Sequence, residues 1–238
     1  MKWTMLAMVM VLGFTSATRA EDAQADPQAL AEKAGQGDTA ACMRLAEMHE
    51  TGKGAAKDPA AAATWWLKAA ELGDAKGQAR IGAKLLSGDG IAKDQAAAME
   101  WLAKASAQGD PDAMMTLGNI HIAGKGVPKN STEAAKWFGM AAEKGLAAAQ
   151  CQMARMHLAG AGVPKDDIEA YQWATRAADQ QNADAKRILI FLNQRMTPDE
   201  IAVAKIAAKG FPAIEDAPPP GEGQPPAEEI PLFLPPIE

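Results

Sequence analysis

The chain has 238 residues, with 24 Lys and Arg against 30 Asp and Glu, a formal net charge of −6. That balance excludes the basic footprint of a nucleic-acid binder. Abundant Ala, Gly and Met, with few β-branched and aromatic residues, argue for helices rather than sheets, and six Trp beside one Tyr make the Trp positions informative.

The first segment reads as a targeting signal. Lys2 supplies a positive start, residues 3–14 form an apolar run, and "TSATRA" follows. Thr18 and Ala20 are the small residues that place cleavage after Ala20. The run is shorter than the ~20 residues a transmembrane helix needs. The expectation is an exported chain, periplasmic or secreted, with residues 1–20 removed and no integral membrane segment left. Without Lys2 and Arg19 the net charge is −8, and the acidity belongs to the ends. Residues 21–27 hold three acids, and residues 211–238 hold six acids and no base.

From residue 38 the chain repeats itself every 36 residues. "AGKGVPKN" at 123–130 returns as "AGAGVPKD" at 159–166. On the same ruler Trp65, Trp101, Trp137 and Trp173 coincide. So do Gly52, Gly88, Gly124 and Gly160, and the second glycines Gly54, Gly90, Gly126 and Gly162. Leu45, Ile81, Leu117 and Met153 are each followed by a small residue: Ala46, Gly82, Gly118 and Ala154. A period in this range, kept without insertion, means a stacked repeat architecture.

Each unit reads as two helices. The first spans 39–51, 75–87, 111–123 and 147–159, with apolar residues at helical spacing. Asp38, Asp74 and Asp110 are in place to cap its start, and the paired glycines end it. The second begins after Asp58, Asp94, Asn130 or Asp166, carries the Trp column and stops at Gly73, Gly109 or Gly145. The fourth unit has Gln-Gln (180–181) where a glycine is expected. The small residue after Leu45 and its equivalents lets the helices approach, and the Trp is expected to fill the space between them. Residues 27–37 read as a lone second helix. Residues 183–209 read as a closing pair, with a capping box from Thr197 to Glu200. The glycine-rich hinge is not a phosphate loop, because no strand precedes it and no Lys-Ser/Thr follows it.

These columns resemble the Sel1-like repeat family, a relative of the tetratricopeptide repeats. "LGNIHIAGKGVPKNSTEAAKWFGMAAEKG" at 117–145 carries the family pattern almost throughout, and 45–73, 81–109 and 153–181 carry it more loosely. The resemblance implies an all-α fold, a right-handed α-solenoid of 36-residue helix-turn-helix units with first helices on the concave face. The organisation expected is a signal peptide (1–20), an N-terminal cap helix (21–37) and four repeats (38–73, 74–109, 110–145, 146–182). Closing helices (183–210) and a Pro-rich acidic tail (211–238) follow.

All three histidines, His49, His121 and His157, stand in the column where the family has a Tyr. Packed helix axes lie ~8–10 Å apart and metal–nitrogen bonds are ~2 Å, so the column reads as half-buried packing and no metal site is assigned. Cys42 and Cys151 fall three repeats apart, beyond the ~7 Å Cα limit for a disulfide. No cofactor motif is present. Some relatives carry a β-lactamase label, but the serines here read "SGDG", "SAQG" and "STEA", without the S-x-x-K of that chemistry. The chain is therefore expected to be no enzyme, with a β-lactamase-like hydrolase as the weakest alternative.

By analogy with tetratricopeptide repeats, three rows line the groove that would bind a protein or peptide partner. They are Met43, Ala79, Met115 and Cys151; Glu50, Leu86, Ile122 and Leu158; and Glu47, Ala83, Asn119 and Arg155. The functional expectation is a scaffold holding a partner segment, with a secreted effector that meets a host protein as the alternative. The alternative reading of these rows is core covered by the superhelix itself. The tail's Pro density forbids helix and sheet, and it is expected to be extended and disordered. It ends in "IPLFLPP", whose Ile230, Leu232, Phe233 and Leu234 form a candidate docking peptide, for a partner or for the apolar groove of a repeat array.

Overall fold

A computed structural model describes residues 26–209. Residues 1–20, read from the sequence as a signal segment, and the tail with Ile230, Leu232, Phe233 and Leu234 lie outside the described residues. Every regular element among the described residues is a helix. A single helix α1 (Pro27–Gly35) precedes four pairs: α2 (Thr39–Thr51) with α3 (Pro59–Glu71), α4 (Ala75–Ser87) with α5 (Gln95–Ala107), α6 (Pro111–Ala123) with α7 (Ser131–Glu143), and α8 (Ala147–Ala159) with α9 (Asp167–Asp179). The last two are α10 (Ala183–Arg195) and α11 (Pro198–Lys209). From α1 to α10 each helix packs on its neighbour in sequence, and α11 packs on α9, which is the one-dimensional stacking of an α-solenoid. No helix among the described residues is long and apolar enough to cross a membrane.

Side-chain caps start the helices where the sequence places them. Asp38, Asp74 and Asp110 accept from the backbone N–H three residues on, at 3.0, 2.6 and 2.8 Å. Asp58, Asp94, Asn130 and Asp166 do the same for the second helices. Leu146 starts α8 with no side-chain cap. Thr197 and Glu200 close a reciprocal capping box at the start of α11. Gln181 takes φ 66°, the left-handed conformation that Gly73, Gly109 and Gly145 supply in the other repeats.

The second glycine of each hinge has a steric reason beyond its own turn. A Cβ on Gly90 would come closer than 3.0 Å to the Pro59 carbonyl, and one on Gly162 would meet the Ser131 carbonyl in the same way. One on Gly126 would overlap the Gln95 side chain, which donates to the Lys125 carbonyl. Each hinge thus lies directly on the first turn of the preceding repeat's second helix. Gly54, with no hinge-bearing repeat before it, faces only the Met48 side chain.

The Trp column corrects the sequence expectation. The residue that fills the space between the paired helices is the next one: Trp66, Leu102, Phe138 and Ala174, all buried. A Cβ on Gly82 would strike Leu102, and one on Gly118 would strike the Phe138 ring. Trp65, Trp101, Trp137 and Trp173 are half-buried. Trp65, Trp137 and Trp173 each pack against two successive core clusters, so they seal repeat to repeat. Lys68, Lys104 and Arg176, three residues on, lie over the Trp65, Trp101 and Trp173 rings at 5.5, 4.3 and 4.7 Å.

A polar device absent from the sequence reading closes the second helices. Gln78 and Gln150, both buried, donate to the carbonyls of Ala70 and Ala142. Their own side-chain oxygens accept from Gln108 and Gln180 at 2.8 and 2.9 Å, and these two also donate to the Gly73 and Gly145 carbonyls. The Cys42 thiol stands in the same column and points to the Ala34 carbonyl at 3.9 Å. This register makes α1 a second helix without its first.

Candidate protein-interaction surface

The three rows expected to line the groove lie on α2, α4, α6 and α8, and burial sorts them. Ala79 and Cys151 are buried, whereas Met43 and Met115 are half-buried. All four pack into core clusters, so this row is largely interior. Leu86, Ile122 and Leu158 are half-buried over the same clusters, each keeping part of its side chain accessible. Glu47 and Ala83 are exposed, and Asn119 and Arg155 are half-buried.

Charges join the first helices at both ends of this surface. Glu47 pairs with Lys76 at 2.8 Å, linking α2 to α4, and Arg155 pairs with Asp184 at 2.7 Å, linking α8 to α10. Glu50, at the head of the apolar row, lies 3.2 Å from Lys84, which is also 2.7 Å from Asp89. Lys84 is 4% exposed and occupies a column held elsewhere by Met48, Ile120 and Met156. The central stretch, with Ala83, Asn119, Leu86 and Ile122, is thus apolar and lightly polar, bounded by ion pairs.

The histidines do structural work. Nδ1 of His49 and of His157 lies 3.2 Å from the Ala56 and Pro164 carbonyls of the hinge that follows. A carbonyl only accepts, so Nδ1 carries the proton in both. The backbone carbonyl of the same column accepts from the N-cap residue of the second helix in all four repeats. His121 Nδ1 is buried without a hydrogen-bond partner. Among the described residues no group of three or more His, Cys, Asp or Glu is placed to hold a metal ion. Cys42 and Cys151 are unpaired and buried in separate clusters, and burial pushes both thiols up from their ordinary pKa.

The sequence had no signal for the Lys84 triad as such. Its one trace is a lysine in a column of Met and Ile. The glutamine pairs leave a clearer one, since Gln at 78 and 150 is matched by Gln at 108 and 180, in the second and fourth repeats alone.

The family model of the Sel1 repeat matches residues 39–74, 75–110, 111–146 and 147–182. Among solved structures, the chain is similar to a protective antigen present in uropathogenic Escherichia coli strains, which displays an SLR fold. The TM-score is 0.72 and the identity 31%, over 78% of this chain and 40% of the antigen. It is also similar to a Sel1 repeat protein from Oxalobacter formigenes, with TM-score 0.63 and 32% identity over 72% of each chain. No curated protein matches the chain. Proteins of this repeat class are generally scaffolds for protein interaction, with no catalytic function indicated. Four consecutive matches, covering more than half of the residues, show that the chain belongs to the Sel1 repeat family.

Proposed function

We propose that this chain is a non-catalytic scaffold that works outside the cytoplasm and holds a segment of a partner protein along the face of its first helices. The observation that carries the reading is the row Leu86, Ile122 and Leu158. Three large apolar side chains recur one per repeat, half-accessible, beside Ala83 and Asn119. Met43 and Met115 border this row and adapt readily to irregular partners. A partner segment with apolar residues at matching intervals would bury them, while Glu47, Glu50 and Arg155 fix the ends. Ala79 and Cys151 support the face from beneath. The signal-like residues 1–20 support export. The similarity to an antigen favours a host-facing version of the same reading.

The test is crosslinked capture from the exported fraction, comparing the unaltered chain with Ala83→Arg and Asn119→Arg. Loss of one captured protein in both variants, with helix content unchanged, supports the reading. Capture that ignores both substitutions contradicts the face. Recovery of the chain with residues 1–20 intact in the cytoplasm contradicts the export.

A further inference from the structure

In each regular repeat the second helix rests against one small buried residue, Ala46, Gly82, Gly118 or Ala154. The equivalent residue of α10 is Ile190, which is 60% exposed, and Phe191 beside it is 38% exposed. The reason is the length of the link. Seven residues separate the helices within each regular pair, but only Met196 and Thr197 separate α10 from α11. Instead of covering α10, α11 folds back onto α9. The array therefore ends with a seat shaped for one more element. An isoleucine where the repeats have Ala or Gly holds off a helix at the regular distance, and the seat suits an extended segment better. Val203 and Ile206 on α11 are also exposed, 54% and 74%.

We propose that the occupant is residues 230–234 of the same chain, "IPLFL". Pro231 within it and Pro235 and Pro236 just after it disfavour a helix, and residues 210–229 connect it to α11. Charge favours the match: residues 183–209 carry five bases and three acids, and residues 211–238 carry six acids and no base. The connection is long enough. Residues 210–229, treated as a coil at ~5–6 Å times the square root of length, span about 25 Å. α10 is about 20 Å long at ~1.5 Å per residue. A tether of this length gives an effective concentration in the millimolar range, so a weak contact suffices. This seat is at the end of the array, where Phe191 continues the column of Glu47, Ala83, Asn119 and Arg155, so it adjoins the last part of the partner-binding face.

The experiment titrates a labelled synthetic peptide of residues 226–238 into the full chain and follows fluorescence anisotropy. The chain is used unaltered, with Phe233→Glu and Leu234→Glu, and with Ile190→Glu added to those two. The expected result is at least tenfold tighter binding to the chain whose own segment is spoiled, because its seat is open, and at least tenfold loss when Ile190→Glu is added. Phe191→Glu repeats the last arm, and circular dichroism checks that helix content is kept. Equal binding to the first two chains, or binding indifferent to both seat substitutions, overturns the proposal. So does a competition that vanishes on dilution together with a falling sedimentation mass, which would put a second copy in the seat.

Discussion

The second glycine of the hinge gives the sharpest test of how the repeats stack. Replacing Gly90 by Ala places a Cβ against the Pro59 carbonyl, at φ 74°. The left-handed backbone costs ~1–2 kcal/mol for a residue with a Cβ. Forcing a fixed backbone group aside costs a further ~1–3 kcal/mol. The narrower unfolded ensemble of Ala returns ~0.5–1 kcal/mol, leaving a net loss of about 2–4 kcal/mol. Gly162→Ala meets the Ser131 carbonyl and should behave alike. Gly54→Ala has nearly the same backbone angle, φ 86°, but meets only the end of the Met48 side chain. It should lose about 1 kcal/mol or less, the backbone cost less the entropy returned. At ~2–4 °C per kcal/mol for a chain of this size, Gly90→Ala and Gly162→Ala should melt ~5–15 °C below the parent and Gly54→Ala only a few degrees below. Thermal and urea unfolding followed by circular dichroism make the comparison. Equal losses at all three glycines would refute the idea that the hinge is clamped by the preceding repeat.

Gln78→Met should cost about 1–3 kcal/mol, because Gln108 and the Ala70 carbonyl lose their partner. Adding Gln108→Lys, which reproduces the Met114 and Lys144 pair of the third repeat, should recover much of that loss in a double-mutant cycle of urea midpoints. Lys84→Met, following Met48 and Met156, should be neutral or stabilising, whereas a clear loss would show that the ion triad with Glu50 and Asp89 holds the first two repeats together. Burial raises the Asp110 pKa above the ordinary carboxylate value. Folding therefore disfavours the ionised form, and this group's contribution to stability improves as pH falls through the raised value toward the unfolded one. Asp110→Asn caps as well without the charge, so it should match or exceed the parent at pH 7 and lose that margin in acid, as read by melting temperature against pH. Ellman's reagent should label Cys42 and Cys151 only on unfolding, since both thiols are buried and raised in pKa. Prompt labelling of either in the native chain would contradict its burial.

The helix boundaries were legible because most are marked locally, by an Asp or Asn cap at one end and glycines at the other. The repeat boundaries follow from the same marks recurring at one interval. The Trp column misled for a physical reason. Recurrence tells which positions matter but not which side of a helix they face. The central position varies as Trp66, Leu102, Phe138 and Ala174 because it is matched pair by pair to Ala46, Gly82, Gly118 and Ala154. The constant Trp instead seals successive repeats, as Trp65, Trp137 and Trp173 do by packing against two clusters each. The Gln78–Gln108 and Gln150–Gln180 pairs and the Glu50–Lys84 contact escaped because they join residues 30 or more apart and occur in only some repeats. Of the groove rows, spacing alone did not separate Ala79 and Cys151, which are core, from Ala83 and Asn119, which reach the surface. The open seat at Ile190 was hidden in the short link at Met196 and Thr197.

The claim that the first helices present the working face is tested most directly by photo-crosslinking at single positions. A photoreactive amino acid is placed at Ala83 or Asn119 on first helices, and at Glu100 or Lys136, exposed on second helices. Each variant is expressed in the native cell. The account predicts that positions 83 and 119 form an adduct with one common protein and that positions 100 and 136 form none with it. An adduct of that protein from positions 100 and 136 alone, or no adduct from 83 and 119, would contradict it.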